Sequence, residues 1–365
     1  MTGGWRAVTD FPDQATADVR GVIATDVGFV AVGSVAVIGP VPTDLSFLQR
    51  GAVWTSSDGE RWMRIDSPSF ERGWLTSIAA GPDGTLMATG AVGSCLPDSC
   101  PALPSGDGPA IWLSRDAAHW ERQSLAGIDG VIAKMVATSH GFVAFGSASA
   151  KDLPVWAIWS SVDGITWQRA AGFGTITQLL DIAATSFGIV VLGREADPAL
   201  SANRTVLLVS SDGSSWEAVS QSDTPTSDQL SSIAAVAGGV MAIGTGSSGS
   251  DMVGDIWRSS DGRKWAKLPV GSAFRNAYLS ALAVGPSAIV LGGSVGTTLQ
   301  ALVPTVWFSP DGLSWSSGVA LEAGVSGLIQ YVAARADRAV AFGLPGATTE
   351  PPGSGGRLVW VGPAG

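Results

Sequence analysis

The stretch VWTSSDGERW, residues 53–62, sets a Trp, a Ser, an Asp-Gly pair and a second Trp at fixed offsets. The same spacing returns as IWLSRDAAHW (111–120), IWSSVDGITW (158–167), LLVSSDGSSW (207–216), IWRSSDGRKW (256–265) and VWFSPDGLSW (306–315). The second aromatic follows the first by eight residues in every copy, and only Leu208 replaces a first Trp. The recurring acids are Asp58, Asp116, Asp163, Asp212, Asp261 and Asp311, a period of 47–58 residues. Self-similarity at such a period marks an array of one supersecondary unit.

A second pattern fills the intervals. An apolar segment, a turn and another apolar segment ending in Gly recur in GVIATDVGFVAVG (21–33), MVATSHGFVAFG (135–146), IAATSFGIVVLG (182–193) and IAAVAGGVMAIG (233–244). Each unit reads as four short strands: A and B form this pair, C carries the first Trp, and D starts at the second. A repeated four-stranded unit of this size predicts a β-propeller.

The chain ends set the blade count. After the sixth motif come another A–B pair, YVAARADRAVAFG (331–343), and a C-like strand, RLVW (357–360). The missing D strand lies at the other terminus, where GGWRAV (3–8) matches ERWMRI (60–65). The expectation is one all-β domain over residues 1–365, a seven-bladed propeller with four antiparallel strands per blade. Blades fall at about 18–66, 73–124, 130–171, 178–220, 229–269, 277–319, and 328–361 plus 3–9. The last is closed three strands plus one, which removes exposed sheet edges. Thirteen of the 15 Trp residues then occupy two columns, and only Trp74 and Trp156 lie outside them.

Asp-Gly suits a two-residue C–D hairpin of type I′, with φ > 0 at both central residues. The Asp side chain accepts backbone N–H groups beyond the turn. The Trp residues bury large apolar areas between blades. A Ca²⁺ loop would need several carboxylates at alternate positions, and each turn offers one. The six Asp residues are therefore read as structural.

The pattern S-x-D-G-x-x-W resembles the Asp-box, or bacterial neuraminidase, repeat. That repeat occurs in sialidases, sortilin-type receptors, photosystem II assembly factors and some xyloglucan hydrolases. This chain has one residue fewer between Asp and Trp than the usual box, and Ala117 replaces the Gly in the second copy. The resemblance implies the fold strongly and the chemistry weakly, because the superfamily holds enzymes and non-enzymes.

Composition narrows the function. The net charge is −10 and the four lysines are scattered, which argues against nucleic acid or an anionic membrane as partner. Residues 278–310 carry no charge, but Gly and Pro interrupt them and they keep the repeat's register, so no membrane span is expected. Cys95 and Cys100, in SCLPDSC, are read as a disulfide in an exposed loop, which implies an oxidising compartment. With no basic n-region at the N-terminus, the chain reads either as cytosolic or as a mature domain whose signal is absent from this sequence, and the cysteine pair favours a secreted or cell-surface location over a cytoplasmic one.

Catalytic signatures are sparse. A sialidase reading asks for an Arg triad, a Tyr–Glu pair and an Asp acid/base, and there are only two tyrosines, Tyr278 and Tyr331. GTGSSG (244–249) fits a dinucleotide fingerprint but opens no helix. No cofactor or metal is expected, since His119 and His140 are the only histidines and lie apart from the cysteines.

Loop lengths are unequal. The B–C connections, at 35–51, 91–109, 147–155, 194–204, 245–254, 294–304 and 344–356, are long and vary, and all emerge on one face. Variable loops on a rigid scaffold are where binding concentrates. Strand A lines the central channel. Blade alignment places Gly21, Ser77, Lys134, Asp181, Ser232, Ser280 and Tyr331 in one column, after Arg20, Thr76, Ala133, Leu180, Ser231, Leu279 and Gln330. Arg20, Lys134, Asp181 and Tyr331 are candidate ligand contacts, although Lys134 and Asp181 in adjacent blades also suit a structural pair. Trp74 and Trp156 would stack on sugars if exposed and would be gap-fillers if buried.

The sequence therefore points to a monomeric, non-catalytic binding or scaffolding propeller with a glycan or protein ligand on the loop-bearing face. The rival is a carbohydrate-active hydrolase or lyase using paired Asp/Glu on that face.

Overall fold

The computed structural model describes residues 4–37, 48–93, 108–148, 155–171, 176–197, 202–225, 229–248, 251–298, 301–321, 325–346 and 357–365. They form seven antiparallel sheets of four strands each, in the order A-B-C-D. The A strands are Ala17–Thr25, Gly73–Ala80, Gly130–Thr138, Ile176–Thr185, Gln229–Val236, Ala277–Val284 and Gly327–Ala334. Each touches the next, and the seventh touches the first, so they are the inner ring of a closed seven-bladed propeller.

Closure occurs as the chain ends suggest. Strand Arg6–Ala7 pairs with Leu358–Pro363, with Ala7 opposite Trp360. The residue two after the second Trp faces the first Trp elsewhere too, as Arg64 faces Trp54 and Arg169 faces Trp159. Trp5 thus holds its column from the far end of the chain.

The core is divided into wedges, each filling the gap between two consecutive blades. Phe29, Ala31, Trp54 and Trp62 of blade 1 pack with Val340 and Phe342 of blade 7, while Val30 and Val32 face Leu75 and Trp112 of blade 2. Alternate strand residues point to opposite faces. Strand B therefore reads as unbroken apolar sequence, because it is buried on both faces. Both Trp columns face the preceding blade, with Trp159 and Trp167 against Met87 and Ile111, and Trp5 and Trp360 against Val290 and Val306. The D-to-A connectors add aromatic plugs. Phe11 lies 5.4 Å from Trp54 and 5.7 Å from Trp62, and Phe274 lies 5.3 Å from Trp307.

The C–D corner differs from the expected hairpin. Six residues separate strands Leu48–Ser56 and Met63–Ile65, and only Gly59, at φ 76, has positive φ. Asp58 is therefore not a turn residue of type I′. Its Oδ1 accepts the N–H groups of Glu60 (2.8 Å) and Arg61 (2.9 Å), while Ser56 Oγ accepts Gly59 N–H at 2.8 Å. Trp62 Nε1–H then closes the corner on the Gly59 carbonyl at 2.9 Å. Asp116, Asp163, Asp212, Asp261 and Asp311 accept the same pair of N–H groups in their corners. A Cβ on Gly59 would also collide with Val340 and Val361 of the preceding blade. The Gly is thus fixed by φ and by packing. Ala117, at φ 63, is the one corner that carries a side chain there.

Strand B does not end at its Gly. In blade 4 it runs Gly188–Asp197 with strand C from Ala202, and in blade 5 it runs Gly239–Ser248 with strand C from Asp251. Part of what reads as B–C loop is therefore hairpin. The Gly itself opposes an inner-strand residue buried in every blade, as Gly33 opposes Val19 and Gly146 opposes Ile132. A Cβ there would strike a strand A carbonyl, that of Asp18 at Gly33 and of Val131 at Gly146. Cys95 and Cys100 lie outside the described residues. No helix among the described residues is long and apolar enough to cross a membrane.

Candidate functional site

The channel wall is built on a bulge that the sequence pattern does not announce. In every A strand the register against strand B skips one residue: Arg20, Thr76, Ala133, Leu180, Ser231, Ser280 and Gln330. This moves blade 6 by one place relative to the sequence alignment. Ser280, not Leu279, belongs with Ser231, and Ala281 joins the column of Lys134, Asp181 and Tyr331.

A bulge leaves backbone groups unpaired within its own sheet. Here neighbouring blades satisfy them. The hydroxyls of Thr76, Ser231 and Ser280 donate across the blade boundary to the carbonyls of Ile132 (2.5 Å), Leu279 (2.8 Å) and Ile329 (2.6 Å). In the next column Ser77 Oγ accepts Met135 N–H at 3.2 Å. Asp181 does most. Its Oδ1 takes Ile182 N–H (2.7 Å) and the Lys134 ammonium of blade 3, and its Oδ2 takes Ser232 Oγ (2.5 Å) and Ile233 N–H (2.9 Å) of blade 5. The Asp181 side chain is 3% exposed and joins three blades, whereas Lys134 is 44% exposed and reaches the channel.

Blades 7 and 1 meet in a charged seam. Arg357, buried just before strand C of blade 7, bonds Asp18 Oδ1, Gln330 Oε1 and the Ala17 carbonyl. Gln14 holds its backbone from the other side, at 2.8 and 2.9 Å. Arg20 Nε pairs with Asp18 Oδ2 at 2.6 Å. Tyr331 stands beside this seam, half-buried, and no described residue hydrogen-bonds its hydroxyl. Burial pushes its phenol above the ordinary value of 10.0, against the opposite pull of Arg20, Arg357 and Lys134. Burial likewise holds Arg357 below its ordinary value, with Asp18 opposing.

Arg20, Lys134, Asp181 and Tyr331 therefore all lie on the channel ring, Arg20 and Tyr331 in adjacent blades 1 and 7 and Lys134 and Asp181 across from them in blades 3 and 4. Trp74 does not join them: it is 5% exposed in the inner strand of blade 2. Trp156, half-buried at the start of strand C of blade 3, packs 6.2 Å from Phe145. Arg357, Asp18 and Gln330 are the participants that sequence reading missed. The available signal was an Arg directly preceding the apolar Leu-Val-Trp run.

The corner carboxylates are committed elsewhere. Two backbone N–H groups, of Thr166 and Ile165, lower Asp163 from 3.8 to about 2. The His119 ring and the His119 and Ala118 N–H groups lower Asp116, and Asp116 in turn raises His119. Among the described residues no group of His, Cys, Asp and Glu is arranged to hold a metal ion. A separate cleft of 370 Å³ opens on the rim of blade 6, where Val306 opposes Val319 and the D strand slips by one residue. Its floor includes Thr305, Trp307 and Gly318, but Trp307 Nε1–H is engaged by the Ala273 carbonyl at 3.0 Å, and Arg275 by Asp251 at 2.8 Å.

Comparison with known proteins agrees with this architecture. A model of the DUF6242 beta propeller domain matches residues 144–326. A search of curated protein sequences finds no match. Among solved structures, YCF48 bound to D1 peptide is similar at 15% identity, over 98% of this chain and 94% of that one, with a TM-score of 0.59. A PL25 ulvan lyase, bound to -[GlcA(1-4)Rha3S]-, is similar at 13% identity over 97% and 95%, with a TM-score of 0.57. The Pyrococcus horikoshii acylaminoacyl peptidase is similar at 10% identity over 97% of this chain and 53% of that one, with a TM-score of 0.56. At these identities the likeness is one of fold.

Proposed function

Because the chain belongs to the DUF6242 beta propeller domain family, which specifies a fold and not an activity, we propose that it is a non-catalytic binding module. Its ligand surface is the face carrying the B–C connections, around the channel mouth. The observation that carries this reading is the use made of the channel carboxylates. Asp181 accepts four hydrogen bonds that join three blades, and Asp18 is held by Arg20 and Arg357. A glycosidase needs one carboxyl free to give up a proton and another free to act as nucleophile or base. These two are occupied by the scaffold. On the same face, the B–C hairpins of blades 4 and 5 continue as paired strand, stiffened by Arg204–Glu195 at 2.9 Å and Arg275–Asp251 at 2.8 Å. A rigid rim of polar side chains beside a channel suits recognition of a glycan or a peptide.

Two of the similar structures divide the same way, YCF48 bound to D1 peptide and the PL25 ulvan lyase bound to -[GlcA(1-4)Rha3S]-. The test is a glycan and peptide array run beside turnover assays on polysaccharides. Binding without turnover is the expected result. Turnover abolished by one Asp or Glu substitution on that face would overturn the reading in favour of a hydrolase or lyase. The extracytoplasmic placement rests on the Cys95–Cys100 pair. Thiol titration of the unfolded, unreduced protein should find no free thiol.

A further inference from the structure

The inner strands are almost devoid of charge. Across all seven, the only ionisable acids and bases are Asp18, Arg20, Lys134 and Asp181. To these the seam adds Arg357, and of these groups Arg20, Arg357, Asp18 and Lys134 act on the Tyr331 phenol, while Asp181 holds Lys134 on the far side of the ring. Both carboxylates are saturated: Asp18 by Arg20 and Arg357, Asp181 by Lys134 and three further donors. Among these described residues the cations outnumber the carboxylates by one, in a protein of net charge −10. Lys134 and Arg20 keep 44% and 51% of their side chains exposed, so their charged ends reach the channel.

We propose that this part of the channel is an anion site, in which the Tyr331 hydroxyl donates to one oxygen of a ligand carboxylate, with Arg20 beside it in the adjacent blade and Lys134 facing it from across the channel. The inference rests on the binding-module reading and names the chemistry its ligand carries. The unpartnered hydroxyl supplies the hydrogen bond, and a neutral phenol is the form that donates one. The protein walls of a channel focus the field of the charges that line it, so few cations suffice. Arg357 is a positioning residue: it fixes Asp18, which in turn orients Arg20.

The experiment is isothermal titration calorimetry of the full chain with D-glucuronate and with D-glucose, which lacks the carboxylate. Tyr331→Phe keeps the ring and removes only the hydroxyl. Arg20→Gln removes one flanking charge at an exposed position. Melting temperatures of both variants serve as the folding control. The expected result is that glucuronate binds and glucose does not. Each substitution should then weaken glucuronate binding by about tenfold or more, as loss of a hydrogen bond to a charged group does. Absence of glucuronate binding, or binding indifferent to both substitutions at unchanged melting temperature, would overturn the site. A glycan or peptide that binds the face equally well in both variants would overturn it too, and would leave the binding module standing. Glucuronate binding lost in Tyr331→Phe supports the site whether or not any polysaccharide is turned over.

Discussion

At the residue scale, the recurring Asp and Gly act on backbone geometry. Gly164, at φ 75, sits where a Cβ would meet the Met87 thioether of the preceding blade. Gly164→Ala should cost about 1–2 kcal/mol from the left-handed conformation, with the displacement of Met87 added. The urea midpoint measures it, and an unchanged midpoint would contradict the corner's packing role. The carboxylate beside it sets an acid limit. Folding lowers the Asp163 pKa from 3.8 to about 2, so its contribution is complete above 3.8 and is lost as pH falls through about 2. The other corner aspartates shift in the same direction. Stability should therefore decline across that window, and Asp163→Asn should flatten the decline in an acid titration followed by circular dichroism.

At the element scale, the inner strand joins the blades. Ser280 Oγ reaches the Ile329 carbonyl of blade 7 from a bulge, and Ser280→Ala should cost about 0.5–1.5 kcal/mol. Asp181→Ala leaves Ser232 and Ile233 without their acceptor and Lys134 without its counter-charge. Its cost should be about 3 kcal/mol, the low end for a broken buried pair because Lys134 reaches solvent. Denaturant unfolding separates the two, and equal small effects would mean that Asp181 does not tie the blades.

The limits of sequence reading also appear at this scale. Strand order, the two Trp columns and the three-plus-one closure were legible because burial imposes period-2 patterns and a fixed repeat. The bulge was not, because Leu279 and Ser280 differ by one register step that composition does not mark. The C–D corner was misread as type I′, since Asp-Gly favours that turn in isolation and only the N–H groups of residues 60 and 61 reveal the wider loop. Of the channel candidates, Arg20, Lys134, Asp181 and Tyr331 all lie on the inner ring, because alignment places equivalent residues there, in two pairs across the channel from each other. Of the two alternatives for the lone Trp residues, Trp74 is buried in the inner strand, whereas Trp156 is half-buried against Phe145. Arg357 was hidden because its contacts, Asp18 and Gln330, lie in the first and seventh blades.

At the scale of the whole molecule, the channel, its charged seam and its two faces exist only if the ring closes. Closure depends on a two-strand register made by residues at the chain's start: Ala7 opposite Trp360, Val8 N–H on the Val359 carbonyl at 2.8 Å, and Phe11 between Trp54 and Phe342. Trp5 is 3% exposed, and burial of one such ring contributes about 3–5 kcal/mol. The most direct test is the melting temperature of the chain lacking residues 1–10. We expect a fall of at least about 5 °C with loss of a single cooperative transition. An unchanged, cooperative melt would contradict a seventh blade completed by the N-terminal strand, and with it the closed channel on which the binding site depends.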